Sequence, residues 1–263
     1  MSRRARSRPP VAVAILAAVA AVFFAVPVVG LLQRAPWSEL VADLSDPVVR
    51  DALRLSFVCS LGATALAFVL GLPLAWVLAR TELPGRRFVR ALVLLPMVLP
   101  PVVGGVALLL AFGRRGLVGQ YLDNWFGVRL PFTTWGAILA EAFVAMPFFV
   151  IVVEASLRSL DRRYEEAAAT LGARRFTSFR RVVLPLIAPS IVAGAALTWA
   201  RALGEFGATI LFAGNLRGET QTMPLAIFSA LQTNVAGAIA LSLVLLAVSV
   251  VVLVSLRERW FPA

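Results

Sequence analysis

Long apolar stretches separated by short polar segments dominate the pattern of this chain. A helix needs about 20 predominantly apolar residues to cross the hydrocarbon core of a bilayer. The apolar residues here run in continuous blocks of that order, rather than along one face of an amphipathic helix. The pattern therefore predicts an all-α integral membrane protein with a single transmembrane domain over residues 1–263. The six predicted spans are residues 11–32, 55–79, 91–112, 135–157, 186–212 and 236–256.

The first apolar stretch follows a group of arginines, as the apolar region of a secretory signal peptide does. That region is usually about 7–15 residues long in signal peptides, and the stretch over residues 11–32 is longer. We therefore interpret it as a retained first membrane span.

Composition supports a membrane protein and excludes several kinds of chemistry. Hydrophobic residues make up 60% of the 263 positions and charged residues 15%, against roughly 45–50% and about 25% in soluble domains. The chain has no histidine for metal sites or general-base catalysis, and its one cysteine, Cys59, cannot form an internal disulfide. It also has no lysine, the residue of a Walker A loop that holds nucleotide phosphates. We expect no catalytic residue, no metal site and no directly bound cofactor, so any ATP is hydrolysed by another chain.

A membrane enzyme, such as a lipid-modifying transferase, is the alternative from a different class. Such an enzyme would carry clustered acids or histidines near the membrane interface for metal or general-base work. The 14 acidic residues of this chain are scattered along the sequence, which disfavours that alternative.

The distribution of positive charge predicts the orientation of the spans. The net charge is +11 and every basic residue is an arginine. With the N-terminus inside, 17 of the 25 arginines fall in inner segments, seven fall outside, and Arg201 lies within a span. The positive-inside rule then places both termini in the cytoplasm. The arginines form no continuous basic face, so we expect membrane lipid and no nucleic acid as a partner.

The third predicted span contains a cluster of helix-breaking residues. Proline removes a backbone donor and wedges the preceding turn, so Pro96, Pro100 and Pro101 together predict a break in the helix. Inside a membrane, a break is tolerated where protein or a water-filled cavity satisfies the freed carbonyls, and transporters use broken helices to build pathways. Pro100 and Gly104 are therefore pathway candidates, with an ordinary membrane-helix kink as the alternative.

Two predicted outer loops are longer than bare connectors. Residues 113–134 and residues 215–235 both contain apolar and aromatic residues among polar ones. Each loop could form a short helix on the outer surface or receive an extracytoplasmic partner.

The long inner loop over residues 158–185 has the pattern of a short helix held outside the membrane. Asp161 is a candidate N-cap, and Glu165 and Glu166 place negative charge in the early turns, where the helix dipole favours it. Alanines follow, and Gly172 is suited to end the helix in a left-handed conformation. A second short helix is predicted to follow and to stop at Leu184-Pro185. The pattern alone leaves two alternatives, a docking helix for another protein or an amphipathic helix resting on lipid.

This loop resembles the EAA loop of bacterial ABC importer permeases. The resemblance rests on an acidic residue, an alanine pair, a glycine and a Leu-Pro pair at fixed spacing; the family favours isoleucine where this chain has Val182. The residues that carry it are Glu166, Ala167, Ala168, Gly172, Leu184 and Pro185. In that family the loop forms a coupling helix that docks into a groove on the ATPase subunit, so the resemblance assigns these six residues to ATPase coupling.

The resemblance to type I importer permeases covers essentially the whole chain and implies an assembly. It implies a multi-pass subunit of the bacterial inner membrane, two copies of an ABC ATPase that use ATP and Mg²⁺, and a separate extracytoplasmic binding protein. A second copy of this chain would complete the pathway, which would open by alternating access.

The fifth predicted span carries an unusual charge pair. A charge at mid-bilayer costs at least about 2.5–3.5 kcal/mol, but Arg201 and Glu205 are four residues apart on one predicted helical face and can pair. The pair could be a structural or gating clip, the interpretation we favour, or it could line the route of a charged cargo together with Thr209.

The same region resembles the molybdate branch of the permease family. The resemblance rests on the run from Gly204 to Thr209, on the later run from Phe212 to Asn215, and on the proline and glycine cluster over residues 95–105. It implies molybdate as cargo, with tungstate as an equivalent tetrahedral dianion. Sulfate and thiosulfate permeases are similar around Gly204 and Glu205, so a permease for sulfate or another anion is the alternative.

Overall fold

The computed structural model of the chain describes residues 10–38 and 46–260, and every regular element within them is a helix. This agrees with the predicted all-α class. Twelve α-helices and one short π-helix follow one another in the described ranges. They are α1 (Val11–Gln33), α2 (Pro47–Arg80), α3 (Arg86–Val98), α4 (Pro101–Phe112), α5 (Gly119–Phe126), α6 (Thr134–Ser159), α7 (Arg163–Thr170), α8 (Arg175–Ser178), the π-helix Phe179–Val183, α9 (Leu184–Leu203), α10 (Gly207–Phe212), α11 (Met223–Leu231) and α12 (Val235–Trp260).

Four of the described helical stretches are long and apolar enough to cross a membrane. They are Val11–Gln33, Pro47–Arg80, Thr134–Ser159 and Arg175–Leu203, and they match the first, second, fourth and fifth predicted spans. The third predicted span is divided between α3 and α4, and the sixth corresponds to the shorter apolar stretch Val235–Val251 within α12.

The centre of the bundle is formed by α2, α6 and α9, which pack along one another. Small residues allow the close approach: a Cβ on Gly71 of α2 would lie 3.0 Å from Cδ1 of Phe149 in α6. Towards the end of the bundle where α2 finishes, Phe149, Leu157 and Ile187 are almost fully buried in one apolar cluster. The packing of these three helices therefore fixes where their connecting loops emerge.

The C-terminal ends of α2 and α6 meet at one end of the bundle, together with the loop that follows α6. The guanidinium of Arg158 donates to the carbonyl of Leu78 over 3.5 Å, and that of Arg80 donates to the carbonyl of Leu160 over 3.1 Å. Two of the arginine-rich segments that the sequence grouped on the inner side, residues 80–90 and 158–181, thus meet at the same end of the molecule.

The two long predicted outer loops meet at the opposite end. Each contains a short helix, α5 in one and α11 in the other, and a partner at these loops stays a prediction. The hydroxyl of Thr134 donates to the carbonyl of Glu219 over 2.8 Å, and the backbone N–H of Met223 donates to the hydroxyl of Ser56 over 2.7 Å. These contacts tie both loops to the ends of α6 and α2.

The structure corrects one detail of the inner loop and one of the fifth predicted span. The second short helix of the loop does not stop at Leu184-Pro185, because the chain passes through the π-helix directly into α9. The wide turn places the N–H of Leu184 on the carbonyl of Phe179, and Pro185 sits in the first turn of α9, where a missing N–H is tolerated. The predicted span 186–212 is also not one helix, since α9 ends at Leu203 and α10 begins at Gly207.

Candidate functional site

The helix α7 is the centre of the loop over residues 158–185. The carboxylate of Asp161 accepts from the N–H of Arg163 over 3.0 Å, and Glu165 and Glu166 lie in the first turn. At the other end Gly172 has a φ of +82°, and the N–H of Ala173 reaches back to the carbonyl of Ala168. A left-handed glycine with this return hydrogen bond is a common helix ending. The N-cap is Arg162, one residue after the candidate Asp161, and the last helical residue is Thr170, so the predicted start and end are correct to within about two residues.

Most of the predicted coupling residues are accessible. Glu166, Ala167 and Gly172 are exposed, whereas Ala168 is buried against the rest of the loop. Leu184 is half-buried where α9 begins, and Pro185 is exposed. The structure does not bring Leu184 and Pro185 onto α7; they belong to the helix that carries the loop back into the bundle.

The sequence interpretation missed large apolar side chains on the same loop. Leu171 is 89% exposed and Phe176 is 73% exposed, and Tyr164 is also exposed. Exposed apolar residues grouped on a loop are typical of a surface that another protein covers. In the sequence, the signal that could have identified them was their position in an otherwise charged, alanine-rich segment.

Salt bridges tie this loop and the start of α3 to the bundle. Nη2 of Arg80 lies 2.8 Å from Oε1 of Glu165 in α7. Glu154 in α6 pairs with Arg158 at 3.0 Å and also with Arg90 of α3. Glu154, which stood alone in the sequence, is therefore shared between two arginines from different helices.

The third predicted span breaks between α3 and α4, as the proline cluster predicted. Leu99 and Pro100 have extended ψ angles of 135° and 132°, and α4 begins at Pro101. We call this the proline break (residues 99–100). The residue before a proline is pushed out of the helical region, so consecutive prolines extend two residues in a row. Pro100 is exposed, and Gly104 is buried one turn into α4 beside Phe143.

A second break, at Gly204–Phe206 between α9 and α10, was not predicted; we call it the glutamate break. The Arg201–Glu205 pair forms as predicted, with Nη2 and Oε2 2.7 Å apart, but Glu205 lies beyond the end of α9. The other carboxylate oxygen of Glu205 accepts from the N–H of Ala208 over 2.9 Å. Glu205 is only 2% exposed, so its carboxylate is a buried connection across the break.

The two breaks contact each other through α4 and α10. A Cβ on Gly207 would lie 2.7 Å from Cβ of Pro101, and a Cβ on Gly105 would lie 2.8 Å from Cβ of Leu211. Such distances leave no space for a side chain, so both glycines are needed for the helices to approach this closely. The structure thereby brings the candidates of the third span, Pro100 and Gly104, near those of the fifth.

Buried polar groups surround this contact. Thr209 is fully buried, and its hydroxyl has no hydrogen-bond partner among residues 10–38 and 46–260. Oε2 of Glu141 in α6 likewise has no hydrogen-bond partner within these ranges, and that residue is only 1% exposed. Glu141 interacts electrostatically with Glu205, a proximity that the sequence could not show because the residues are far apart along the chain.

Comparison with protein families identifies a match over most of the chain. The family of binding-protein-dependent transport system inner membrane components matches residues 52–260. Two solved structures share the fold at 20% identity: a bacterial ABC transporter involved in the import of alginate, and the alginate transporter in complex with an alginate-bound periplasmic protein. Their TM-scores are 0.74 and 0.75; each covers 95% of this chain, and 94% and 93% of the respective solved chains.

Curated relatives are more similar in sequence. The molybdenum transport system permease protein ModB of Mycobacterium tuberculosis is 45% identical over 90% of both chains. The protein of the same name from Escherichia coli is 39% identical, over 82% of this chain and 94% of its own length. The sulfate transport system permease protein CysT of Salmonella typhimurium is also 39% identical, over 86% of this chain and 82% of its own length. The chain belongs to the family of binding-protein-dependent transport system inner membrane components, a family of membrane transport subunits.

Proposed function

We propose that this chain is the permease subunit of an ATP-driven importer that carries molybdate, or the equivalent dianion tungstate, into the bacterial cytoplasm. The observation that carries the proposal is the 45% identity to a molybdenum transport permease over 90% of both chains. Sulfate is the second candidate cargo, because a sulfate transport permease is 39% identical over 86% of this chain.

In this proposal the chain crosses the inner membrane six times, with both termini in the cytoplasm. The helices α3 and α4 together form the third span and α12 forms the sixth. The meeting of arginine-rich segments at one end of the bundle supports the orientation, because positive charge is retained on the cytoplasmic side. Two copies of the chain would enclose the pathway.

The helix α7 would couple this subunit to an ABC ATPase, of which two copies would use ATP and Mg²⁺. The exposed alanine at position 167 lets a partner approach the backbone, and Leu171 and Phe176 supply apolar area around it. The Arg80–Glu165 salt bridge supports transmission of a movement of α7 to the central helix α2. Glu166, Ala168 and Gly172 would shape the same docking surface.

The contact between the two breaks would act as a gate in an alternating-access cycle. Arg201 and Glu205 would act as a clip rather than as ligands of the anion, because Glu205 already occupies the guanidinium. Pro100, Gly104 and Thr209 would line or border the route. An extracytoplasmic binding protein would dock at the opposite end from α7, as a periplasmic protein accompanies the alginate transporter.

The cargo is tested by ATP-dependent uptake into proteoliposomes that contain this chain, its ATPase and its binding protein. We expect uptake of radiolabelled molybdate that a large excess of sulfate does not reduce. Uptake that sulfate abolishes would reassign the cargo to sulfate, and uptake of neither anion with ATP hydrolysis intact would overturn the cargo proposal.

The coupling assignment is tested by substitutions at two glycines with similar backbone geometry. Gly172 and Gly85 have φ angles of +82° and +79°, and a Cβ at either would meet no atom of the described chain within 4 Å. Leucine at either position strains the backbone by about 1–2 kcal/mol, whereas asparagine tolerates this conformation. We expect Gly172→Leu to lower ATP-driven uptake several-fold, and Gly172→Asn and Gly85→Leu to retain most of it. Normal uptake by Gly172→Leu, at wild-type levels of membrane insertion, would contradict the assignment.

A further inference from the structure

A cavity of about 390 Å³ lies between the end of α2 and the loop that contains α7 and α8. Its wall includes Trp76 and Arg80 from α2, Arg162 and Glu166 beside or within α7, and Arg175 and Ser178 from α8. The cavity is therefore bounded on one side by a central helix and on the other by the loop proposed to contact the ATPase. Its volume is far larger than the roughly 30 Å³ that one water molecule occupies.

Three hydrogen-bond donors of the cavity wall lack an acceptor. They are Nε1 of Trp76, Nε of Arg80 and the hydroxyl of Ser178; each is buried, and none has a partner within residues 10–38 and 46–260. Buried polar groups in proteins are nearly always hydrogen bonded. Oε1 of Glu165 in the same wall also forms no hydrogen bond within these ranges, although it lies 2.8 Å from Nη2 of Arg80. The three donors are therefore groups of this wall that an acceptor from outside the described chain would satisfy.

The positions of these donors are well defined. The Arg80 side chain is 7% exposed, and its Nη2 is held by Glu165 at 2.8 Å and by the carbonyl of Leu160 at 3.1 Å. This arrangement leaves Nε of the same guanidinium available. The Trp76 ring packs against Phe179 with centroids 6.2 Å apart and planes at 78°, which fixes the direction of the indole N–H.

The charges around the cavity favour an anion. Three arginines line it, against two glutamates, one of which is paired with Arg80. Arg162 and Arg175 form no salt bridge in the part of the chain that the structure describes. The negative charge of Glu166 offsets one of these two arginines, so the side chains of the wall have a net charge of +1. Guanidinium groups bind carboxylates and phosphates through paired N–H donors.

We propose that this cavity binds a tetrahedral oxyanion, held by Arg162, Arg175 and the donors of Trp76, Arg80 and Ser178. The same chemistry is presented by a free oxyanion such as phosphate and by the phosphate of an anionic lipid headgroup. A bound oxyanion connects α2 with α7 and α8, and so stabilises the position of the loop. This proposal does not depend on which anion the protein transports, because its test measures binding and not uptake.

The test uses the full chain in nanodiscs and has two arms. In neutral phosphatidylcholine discs, equilibrium dialysis measures binding of radiolabelled phosphate and of radiolabelled molybdate. In discs that contain phosphatidylglycerol, native mass spectrometry counts the anionic lipids that remain bound. Wild type is compared with Arg175→Gln and Ser178→Ala, and with Arg174→Gln as the control, since Arg174 is exposed and does not line the cavity.

We expect Arg175→Gln to lower affinity or lipid retention about tenfold, because a hydrogen bond to a charged group contributes about that factor or more. Ser178→Ala is expected to cause a smaller loss, and Arg174→Gln to behave as wild type. Loss in the dialysis arm identifies a free oxyanion, and loss in the lipid arm identifies a headgroup. Absence of binding by wild type in both arms, or equal losses for Arg174→Gln and Arg175→Gln, would overturn the proposal.

Discussion

The two helix breaks interrupt the third and fifth predicted spans in different ways. At the proline break, ring sterics extend Leu99 and Pro100, and Pro100 is exposed on the surface of the chain. At the glutamate break, the chain leaves the helix after Leu203, and a buried carboxylate holds the new start by accepting from the N–H of Ala208. The first break is a property of local covalent geometry. The second depends on an ion pair with a buried carboxylate and on close packing, so the two should respond differently to substitution.

The largest effect is expected from removing the carboxylate of the glutamate break. Glu205→Ala leaves Arg201 without its partner and the N–H of Ala208 without its acceptor. Removing one partner of a buried pair typically costs about 3–5 kcal/mol, and we expect a loss of that order in thermal unfolding of the purified protein in detergent. Glu205→Gln keeps an acceptor for Ala208 and should lose less.

Asp123 provides the matched control for that variant. This carboxylate also contacts arginines, Arg114 at 2.9 Å and Arg129 at 2.8 Å, but it lies in α5 and both arginines are largely exposed. The hydrogen bond from Arg129, helped by Arg114, holds the pKa of Asp123 below its usual value. Because the two arginines are largely exposed, solvent weakens these ion pairs, so Asp123→Asn should shift the unfolding midpoint much less than Glu205→Ala. Equal shifts would show that the buried carboxylate is not what holds the glutamate break.

A smaller effect is expected from filling the contact between the breaks. Gly207→Ala would place a Cβ 2.7 Å from Cβ of Pro101, whereas Gly204→Ala would meet only a carbonyl oxygen at 3.9 Å within the described chain. Overpacking a close contact costs about 1–3 kcal/mol, and we expect that loss for Gly207→Ala alone. Thermal unfolding of both variants measures the difference, and an equal loss for Gly204→Ala would argue against packing as the cause.

The smallest effect is expected at the proline break itself. In Pro100→Ala, Pro101 still disfavours the helical region for residue 100, so the break should persist with a stability change below about 1 kcal/mol. The double variant Pro100→Ala, Pro101→Ala removes both restraints and should increase helicity measured by far-UV circular dichroism. A rise in helicity for Pro100→Ala alone would show that one ring maintains the break.

Sequence reasoning succeeded where the signal is local. The ends of α7 follow from Asp161, the alanine run and Gly172, and the proline break follows from consecutive proline rings. The pairing of Arg201 with Glu205 was also predicted, but the prediction placed both residues on one face of a continuous helix, which in the structure ends at Leu203. The glycines at 204 and 207 were the sequence signal for a break in the helix at this point. Their importance becomes clear only from the structure, where Gly207 packs against Pro101.

Contacts between distant residues lay beyond the sequence. Nothing in the pattern links Arg80 to Glu165, Glu154 to Arg90, or Glu141 to Glu205, because each pair joins different elements that only the packing of the bundle brings together. The continuation of the helix through Leu184-Pro185 was missed for a related reason. A π-turn accommodates the proline, and short-range rules assume the regular helical spacing.

By itself, the sequence determined the apolar stretches, the grouping of arginines between them, the short helix of the loop over residues 158–185 and the proline break. These features rest on hydropathy and backbone sterics, which act over a few neighbouring residues and need no partner. Only the tertiary structure decided where the glutamate break lies, how the two breaks meet, and which residues line the cavity beside α7. These features depend on burial, because a carboxylate or an arginine acquires its role from the atoms that replace water around it.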